Sequence, residues 1–502
     1  MRRFNVKKHN NVQSYFLFLL GFFFIQIFDL LDLELISFIV KNIFLIIFLV
    51  YNIIAYKRNN PERWLLNPVV LASLMTFLLG FCITNYVYFI PGSEDEKLTF
   101  RLLGSDTLFY FNKAMDAIII AAFAMWIGYN SNLGMRLYNF ILRFPINFRK
   151  YFRSSFIPNL PAIYTIIVIA VVTRFVAIDL GIYGYSQSPD RLSASIGIAY
   201  ILISVGDVLT LCLLVVSFAY FRYVKNFQYK FTFFLILVIQ IIFGVLSGVK
   251  SAVVMPFVLT FITYYIVNNK LNKSLIIAGV VFIIIAYIII EPFRMLRMSD
   301  AGFQSSPANI ANTMVDAYNL NKSTKVVPGS EDIFTSIISR NAYLLAASRS
   351  IQYSEVRGLG VNDPDFLEKI YTIPLQTFIP RLIWANKPVE DIGRWFSIRV
   401  WNGITTSSVA MTPIGFLYFA GGLVFIFFGF LIFGIMQKTL WQFYLAGGSQ
   451  LLIFLAFLSS VVLIDSSFNG AVVYWLRYFP VFIFLQALIF KKSEITERRM
   501  SI

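Results

Sequence analysis

The chain has 502 residues, of which 58% are hydrophobic and only 14% charged, with a formal net charge of +16. About a quarter of an ordinary soluble domain is charged. A mean hydropathy of +0.73 therefore excludes both a water-soluble globule and a disordered chain. The expectation is an all-α, polytopic integral membrane protein. Its positive charge is distributed over the loops between apolar runs, so no nucleic-acid partner is expected. Cys82 and Cys212 lie inside apolar runs, and the single histidine, His9, lies in the basic first segment. These counts exclude a disulfide framework, a histidine-based metal site and a Ser-His triad. Neither a metal nor a cofactor is expected.

Residues 1–10 carry Arg2, Arg3, Lys7 and Lys8 ahead of the first apolar run, with no small-residue cleavage site after it. They predict an uncleaved first span. A membrane span needs about 20 apolar residues. Runs of that kind fall at 14–31, 34–55, 66–90, 108–129, 161–180, 194–221, 231–248, 251–268, 274–290, 412–436, 450–465 and 471–490, about twelve in all. Only Ser247-Gly248-Val249-Lys250-Ser251 divides the seventh from the eighth, which predicts a tight helical hairpin. Gly248-Val249-Lys250-Ser251 is not a phosphate loop, because the Walker pattern needs adjacent Gly-Lys after four spacers on a strand-loop-helix.

With the N-terminus inside, the inner segments carry 22 Lys and Arg and the short outer loops carry four. By the positive-inside rule both termini are then cytoplasmic. The domain plan is a membrane domain over 1–290, an extracytoplasmic subdomain over 291–411, a second membrane block over 412–490 and a cytoplasmic tail over 491–502. The cytoplasmic loop 131–160 alternates basic with aromatic residues. It suits an interfacial helix on anionic membrane lipid, and equally a plain topology loop. The stretch 291–411 holds 12 Lys and Arg against 11 Asp and Glu. Loops this long tend to be functional; the pattern predicts a mostly helical subdomain with its main helix over 332–351. Arg340 and Arg349, nine residues apart on that helix, would point to opposite faces.

Ionisable groups inside spans are candidate functional residues by default. They are Lys41, Lys113, Asp116, Arg174, Asp179, Asp207 and Arg477. Lys41, Lys113, Arg174 and Arg477 fall in the outer half of the bilayer, and Lys250 falls at its outer surface. Long cationic side chains can snorkel to headgroups or pair structurally; Lys113 and Asp116, three apart, can pair on one face. The alternative is a cationic pocket for an anionic lipid headgroup. Asp207, in mid-span, is expected to be a satisfied interhelical partner.

In the outer stretch, Glu291 and Arg294 leave the ninth span, IPRLIWANKP occupies 379–388, and SSVAMTPIGFLYFAGG runs over 407–422 into the tenth span. Together with SGVKSAVVMPF at 247–257, these segments resemble the Wzy-type oligosaccharide repeat-unit polymerases. Members of that family tend to carry a Pro-Arg-x-x-Trp-Pro-x-Lys-Pro-like segment in a large outer loop. The resemblance covers roughly 245–435; Ala385 stands where the family often has proline, and no chemistry rests on that ring. It implies an integral-membrane lipid-phosphosugar glycosyltransferase in the bacterial inner membrane. The donor and the acceptor would be undecaprenyl-pyrophosphate-linked glycans, undecaprenyl pyrophosphate would be released, and a chain-length regulator is an expected partner. No nucleotide sugar and no metal are implied.

The chemistry places the main developing charge on the leaving pyrophosphate, which fixed cations stabilise. Arg381 and Arg340 lead the candidates, followed by Lys387, Lys250 and Arg294, with Arg174, Arg477 and Lys113 as further pyrophosphate ligands. Glu390, Asp391 and Glu291 are candidate general bases for the acceptor hydroxyl; a solvated acidic turn also accounts for them. Trp384, Trp395 and Trp401 can stack on sugars or anchor the loop at the interface. An O-antigen ligase has a similar outline but is expected to use a histidine in the outer loop, where this chain has none. A lipid-linked oligosaccharide flippase would show pseudo-symmetric halves. A structural protein of an export complex would not need inward cations.

Overall fold

The computed structural model describes residues 11–61, 64–143, 152, 156–180, 182–183, 189–282, 284, 290, 312–313, 315–316, 343–364, 366, 379, 384, 392–401, 409–462 and 468–491. Among these, the secondary structure is helical apart from one isolated bridge between Pro158 and Phe490. Two helices open the chain, α1 (Asn11–Leu30) and α2 (Glu34–Asn59). Next, α3 (Pro68–Ala72) continues as a π-helix, Ser73–Gly80, and a 3₁₀ helix, Ile83–Phe89. They are followed by α4 (Glu94–Leu103), α5 (Thr107–Asn130) and α6 (Leu133–Arg143). Then come α7 (Leu160–Asp179), α8 (Pro189–Arg222), α9 (Phe227–Ser247), α10 (Lys250–Asn268) and α11 (Lys273–Phe282). In the long polar stretch lie α12 (Leu344–Arg357) and α13 (Ile392–Arg399). The chain closes with α14 (Pro413–Ala446), α15 (Gln450–Val462) and α16 (Phe468–Ile489).

Nine helical segments among the described residues are long and apolar enough to cross a membrane. Three shorter apolar helices, Tyr15–Leu30, α11 and α15, accompany them. The molecule is a polytopic, all-helical membrane protein. As predicted, α9 and α10 form a tight hairpin. Gly248 ends α9 in the left-handed region at φ 65°, and α10 starts two residues later. The two helices meet backbone to backbone, since a Cβ on Gly244 would lie 2.7 Å from the Ala252 carbonyl oxygen.

The core is built on α5 and α14. Helix α5 is buried on nearly every side, as a helix apolar all round should be. Its closest approach to α14 is through glycine. A Cβ on Gly128 would sit 2.1 Å from the Leu431 oxygen, and one on Gly434 would sit 2.1 Å from the Met125 oxygen. Small residues permit this backbone contact inside a membrane, where lipid is as apolar as leucine and close packing drives association. Around the pair, Gln437 Nε2 donates to the Val461 oxygen at 2.8 Å, Thr76 Oγ1 donates to the Val462 oxygen at 2.6 Å, and Thr439 Oγ1 donates to the Gly134 oxygen at 3.0 Å. These bonds tie α15, the π-helix and α6 onto the central pair.

Helix α14 is broken. Gly421 and Gly422 are non-helical, with Gly422 at φ 69°, so Pro413–Ala446 is two half-helices in line. The first half starts at Thr412, whose Oγ1 accepts the Gly415 N–H at 3.2 Å, with Pro413 in the first turn.

The predicted main helix over 332–351 is displaced in the structure. Residues 332–342 lie outside the described residues, and the described helix, α12, runs from Leu344 to Arg357. Its end is set by Gly358 at φ 90°. Nor is α12 a peripheral loop helix. Leu344, Leu345, Ala347, Ser348, Ser350 and Ile351 are all buried, in contact with α5 and the first half of α14.

Candidate functional site

The seat of α12 is made from backbone that departs from the α-helix. A π-helix widens the turn and is frequent near functional sites. Here it ends at Gly80, whose carbonyl accepts the Tyr343 N–H at 3.1 Å just before α12 begins. The Leu345 N–H then donates to the Tyr88 hydroxyl at 3.4 Å. Arg349 fastens the middle of α12. Its Nε donates to the Val400 oxygen at 2.8 Å, and its Nη1 donates to the Leu102 oxygen at 2.8 Å and to the Gln352 side-chain oxygen. Leu102 and Val400 close α4 and α13, where carbonyls lack intrahelical partners and the helix dipole favours a cation. Burial pulls the Arg349 pKa below the ordinary arginine value, with Tyr110 and Tyr353 acting in the opposite direction. Replacing Arg349 by Ala is expected to cost about 2–3 kcal/mol, the range for a charged hydrogen-bonded group. Hydrogen exchange would read it as faster exchange of 344–357 with α5 unchanged; equal protection in both proteins would refute the role.

The intramembrane charges separate into three environments. Lys41 is fully buried and lies between two carboxylates, Asp29 Oδ2 at 2.5 Å and Asp116 Oδ2 at 2.9 Å. Ser37 Oγ donates to Asp29 Oδ1 at 2.5 Å, and Gln26 Nε2 donates to Asp116 Oδ1 at 2.9 Å. This network joins α1, α2 and α5 and leaves Lys41 no room for a ligand. Arg174, on α7, is 5% exposed. Its Nη1 donates to Gln240 Oε1 at 3.0 Å, and its guanidinium stands 5.2 Å from the centre of the Phe243 ring. Asp207 on α8 is close enough to interact with it electrostatically, but no ion pair within 4 Å is formed between them among the described residues.

Lys113, on α5, differs from both. It forms an ion pair with Glu355 of α12 at 2.5 Å, and the two side chains are 36% and 31% exposed. Its ammonium also stands 4.3 Å from the centre of the Phe109 ring. Tyr110 on α5 and Tyr418 on α14 both lie within electrostatic reach of Glu355. A half-exposed cation and carboxylate, with two phenols beside them, therefore gather where α5, α12 and the first half of α14 meet. The expected pairing of Lys113 with Asp116 on one helix face does not form. Each has an interhelical partner instead, because Asp116 turns to Lys41 and Lys113 turns to α12.

The remaining sequence candidates are placed unevenly. Arg381, Arg340, Glu390, Asp391, Glu291, Arg294 and Lys387 lie outside the described residues, as do the side chains of Lys250 and Arg477. Lys250 opens α10 and Arg477 belongs to α16. Lys113 and Arg174 share no partner. Trp395 is 7% exposed, with the Phe366 and Phe419 rings at 5.2 Å and 5.3 Å, so a sugar would have to displace core aromatics to reach it. Trp401 is half-buried with the Phe396 ring 5.7 Å away, and Trp384 is half-buried. Sequence reasoning missed Glu355, Tyr110 and Tyr418. Only a pairing signal for Lys113 other than Asp116 would have found them, and none exists within one helix.

A shallow groove of about 240 Å³ lies between α2 and the π/3₁₀ segment, with Asn42 and Asn85 among otherwise apolar walls such as Ile43 and Tyr86. Its lining suits a lipid chain rather than charged chemistry. No protein-family model matches the chain, and neither the curated proteins nor the solved structures contain a match.

Proposed function

We propose that this chain polymerises lipid-linked oligosaccharide repeat units at the outer face of the bacterial inner membrane. In this reading the nine long helices and three shorter ones make twelve crossings, both termini are cytoplasmic, and 291–411 faces outward. A growing glycan on undecaprenyl pyrophosphate is transferred to a terminal hydroxyl of an incoming lipid-linked unit. Undecaprenyl pyrophosphate leaves, and a chain-length regulator is a natural partner. Arg381, Arg340, Lys387, Lys250 and Arg294 would neutralise the departing pyrophosphate, and Glu390, Asp391 or Glu291 would take the hydroxyl proton. No metal and no nucleotide sugar is invoked.

The observation that carries this reading is the position of the segment bearing the resemblance. Residues 409–422 form the cap, the first half-helix and the Gly421–Gly422 break of α14, against the buried α12. Broken helices at membrane depth are where transporters and related proteins place polar substrate groups. Exchanging Arg381 or Arg340 for Ala is expected to leave the protein in the membrane but stop polymer formation, so that single repeat units accumulate. Normal chain length in both variants would remove them from the site. A reporter fused at residue 330 is expected to read as extracytoplasmic; a cytoplasmic signal would overturn the topology and the chemistry together.

A further inference from the structure

Of Lys41, Arg174 and Lys113, Lys113 is the cation that an external anion can reach. Lys41 is enclosed by two carboxylates, and Arg174 is buried against Gln240 and Phe243. Lys113 has one carboxylate contact, Glu355 Oε1, and both partners are about one-third exposed. An ammonium has three N–H donors, so two remain for oxygens other than that of Glu355. An ion pair this exposed is weak. A diphosphate, with more charge and more acceptor oxygens than a carboxylate, competes well for the same ammonium. Glu355 Oε2 makes no contact among the described residues. The groups facing the pair are Tyr110 on α5, Tyr418 on α14, Arg349 on α12, and Asp106 in the turn before α5.

We propose that the Lys113–Glu355 pair is a displaceable latch: a lipid diphosphate takes Lys113, and the released Glu355 carboxylate accepts the proton of the acceptor hydroxyl. The exchange at Lys113 requires only a lipid diphosphate; the proton-accepting role rests on the polymerase reading above. In that step the acceptor oxygen bonds to the anomeric carbon of the donor glycan. The bond from that carbon to the diphosphate oxygen breaks, its electron pair leaves on the diphosphate, and the hydroxyl proton goes to Glu355. Without a ligand, the carboxylate occupies the place of the phosphate and keeps the ammonium neutralised. It also holds α12 to α5 until a diphosphate arrives.

The test uses the full-length protein in lipid nanodiscs with undecaprenyl diphosphate and, separately, inorganic pyrophosphate as probes. Glu355→Gln removes the competing charge and retains a hydrogen-bonding side chain. It is expected to bind undecaprenyl diphosphate about two- to five-fold more tightly, the worth of one half-exposed ion pair. Lys113→Met is expected to bind more weakly than the parent. In the same preparation, polymer formation from lipid-linked units is expected to fall about 10²- to 10⁴-fold in Glu355→Gln, as for loss of a general base, and to recover in part in Glu355→Asp. A purely structural tie would weaken binding and turnover together, whereas the latch moves them in opposite directions. Unchanged or weaker binding by Glu355→Gln overturns the latch. A gain seen with both probes assigns the exchange to the diphosphate group itself, and a gain confined to the lipid assigns it to a headgroup held at the membrane; both support it. If the parent protein makes no polymer, the polymerase reading fails and the binding result stands. If the parent does and Glu355→Gln matches it, the proton-accepting role is lost.

Discussion

A Gly434→Leu variant is expected to yield no folded protein, and Gly434→Ala is expected to lose about 2–3 kcal/mol or more, in the range of overpacked cores. The reason is geometric. The added Cβ would lie 2.1 Å from the Met125 oxygen and 2.7 Å from the Tyr129 nitrogen, and both are backbone atoms of α5. Backbone inside a helix cannot swing aside as a flexible side chain can, so α5 and α14 must separate. Separation would break the reciprocal contact at Gly128 and strain the bond from Gln437 to the Val461 oxygen. It would also loosen the wall on which α12 rests. The control is Gly279 on α11, where a Cβ meets nothing within 4 Å. Gly279→Ala is expected to be neutral or slightly stabilising, since alanine has the higher helix propensity. Thermal melting of the detergent-purified variants, with size-exclusion profiles, would decide it. A Gly434→Ala protein as stable as Gly279→Ala would mean that α5 and α14 do not meet this closely.

The apolar runs predicted the helices well because a span needs length and hydropathy, and both can be read directly along the chain. The hairpin at 247–251 was legible for a similar reason: a glycine flanked by short polar residues has few other conformations. The insertion of α12 was not legible. Its buried face is Ala346, Ala347, Ser348 and Ser350 beside a few leucines and isoleucines, a composition that does not mark a buried helix. Its seat is built from main-chain groups, the carbonyls of Gly80, Leu102 and Val400, which no side-chain pattern announces. The charge pairs were half legible. Counting cations in the outer half of the spans identified Lys41, Lys113 and Arg174. Spacing within one helix suggested a Lys113–Asp116 pair that interhelical geometry replaces with stronger ones. Tryptophan was ambiguous for a physical reason: the same ring serves a sugar face or a core, and at Trp395 the neighbouring Phe366 and Phe419 fill its surroundings.

Lys41→Met is expected to destabilise the protein by about 3–5 kcal/mol, the cost of removing one partner from a buried ion pair. Methionine matches the lysine stem in volume, so little of the loss comes from a cavity. What remains is two carboxylates, Asp29 and Asp116, that faced one ammonium at 2.5 Å and 2.9 Å and now face each other's charge without it. The Ser37 and Gln26 hydrogen bonds persist, but they cannot supply a positive charge. The effect is predicted to be strongly non-additive. Lys41→Met combined with Asp116→Asn should recover part of the stability, because the second change removes an unpaired charge; Asp116→Asn alone should be milder than Lys41→Met, since Lys41 keeps Asp29. Melting temperatures of the two single variants and the double variant form the cycle. A double variant less stable than the sum of its parts would show that Lys41 acts by packing rather than by charge. Asn112 Oδ1 is buried beside this network without a hydrogen-bond partner among the described residues, while its Nδ2 donates to the Glu34 oxygen at 2.8 Å. The junction of α1, α2 and α5 is thus held by charge more than by apolar fit, and its loss should detach α1 first, since the Asp29 contacts with Lys41 and Ser37 are among the polar ties of α1 to the bundle.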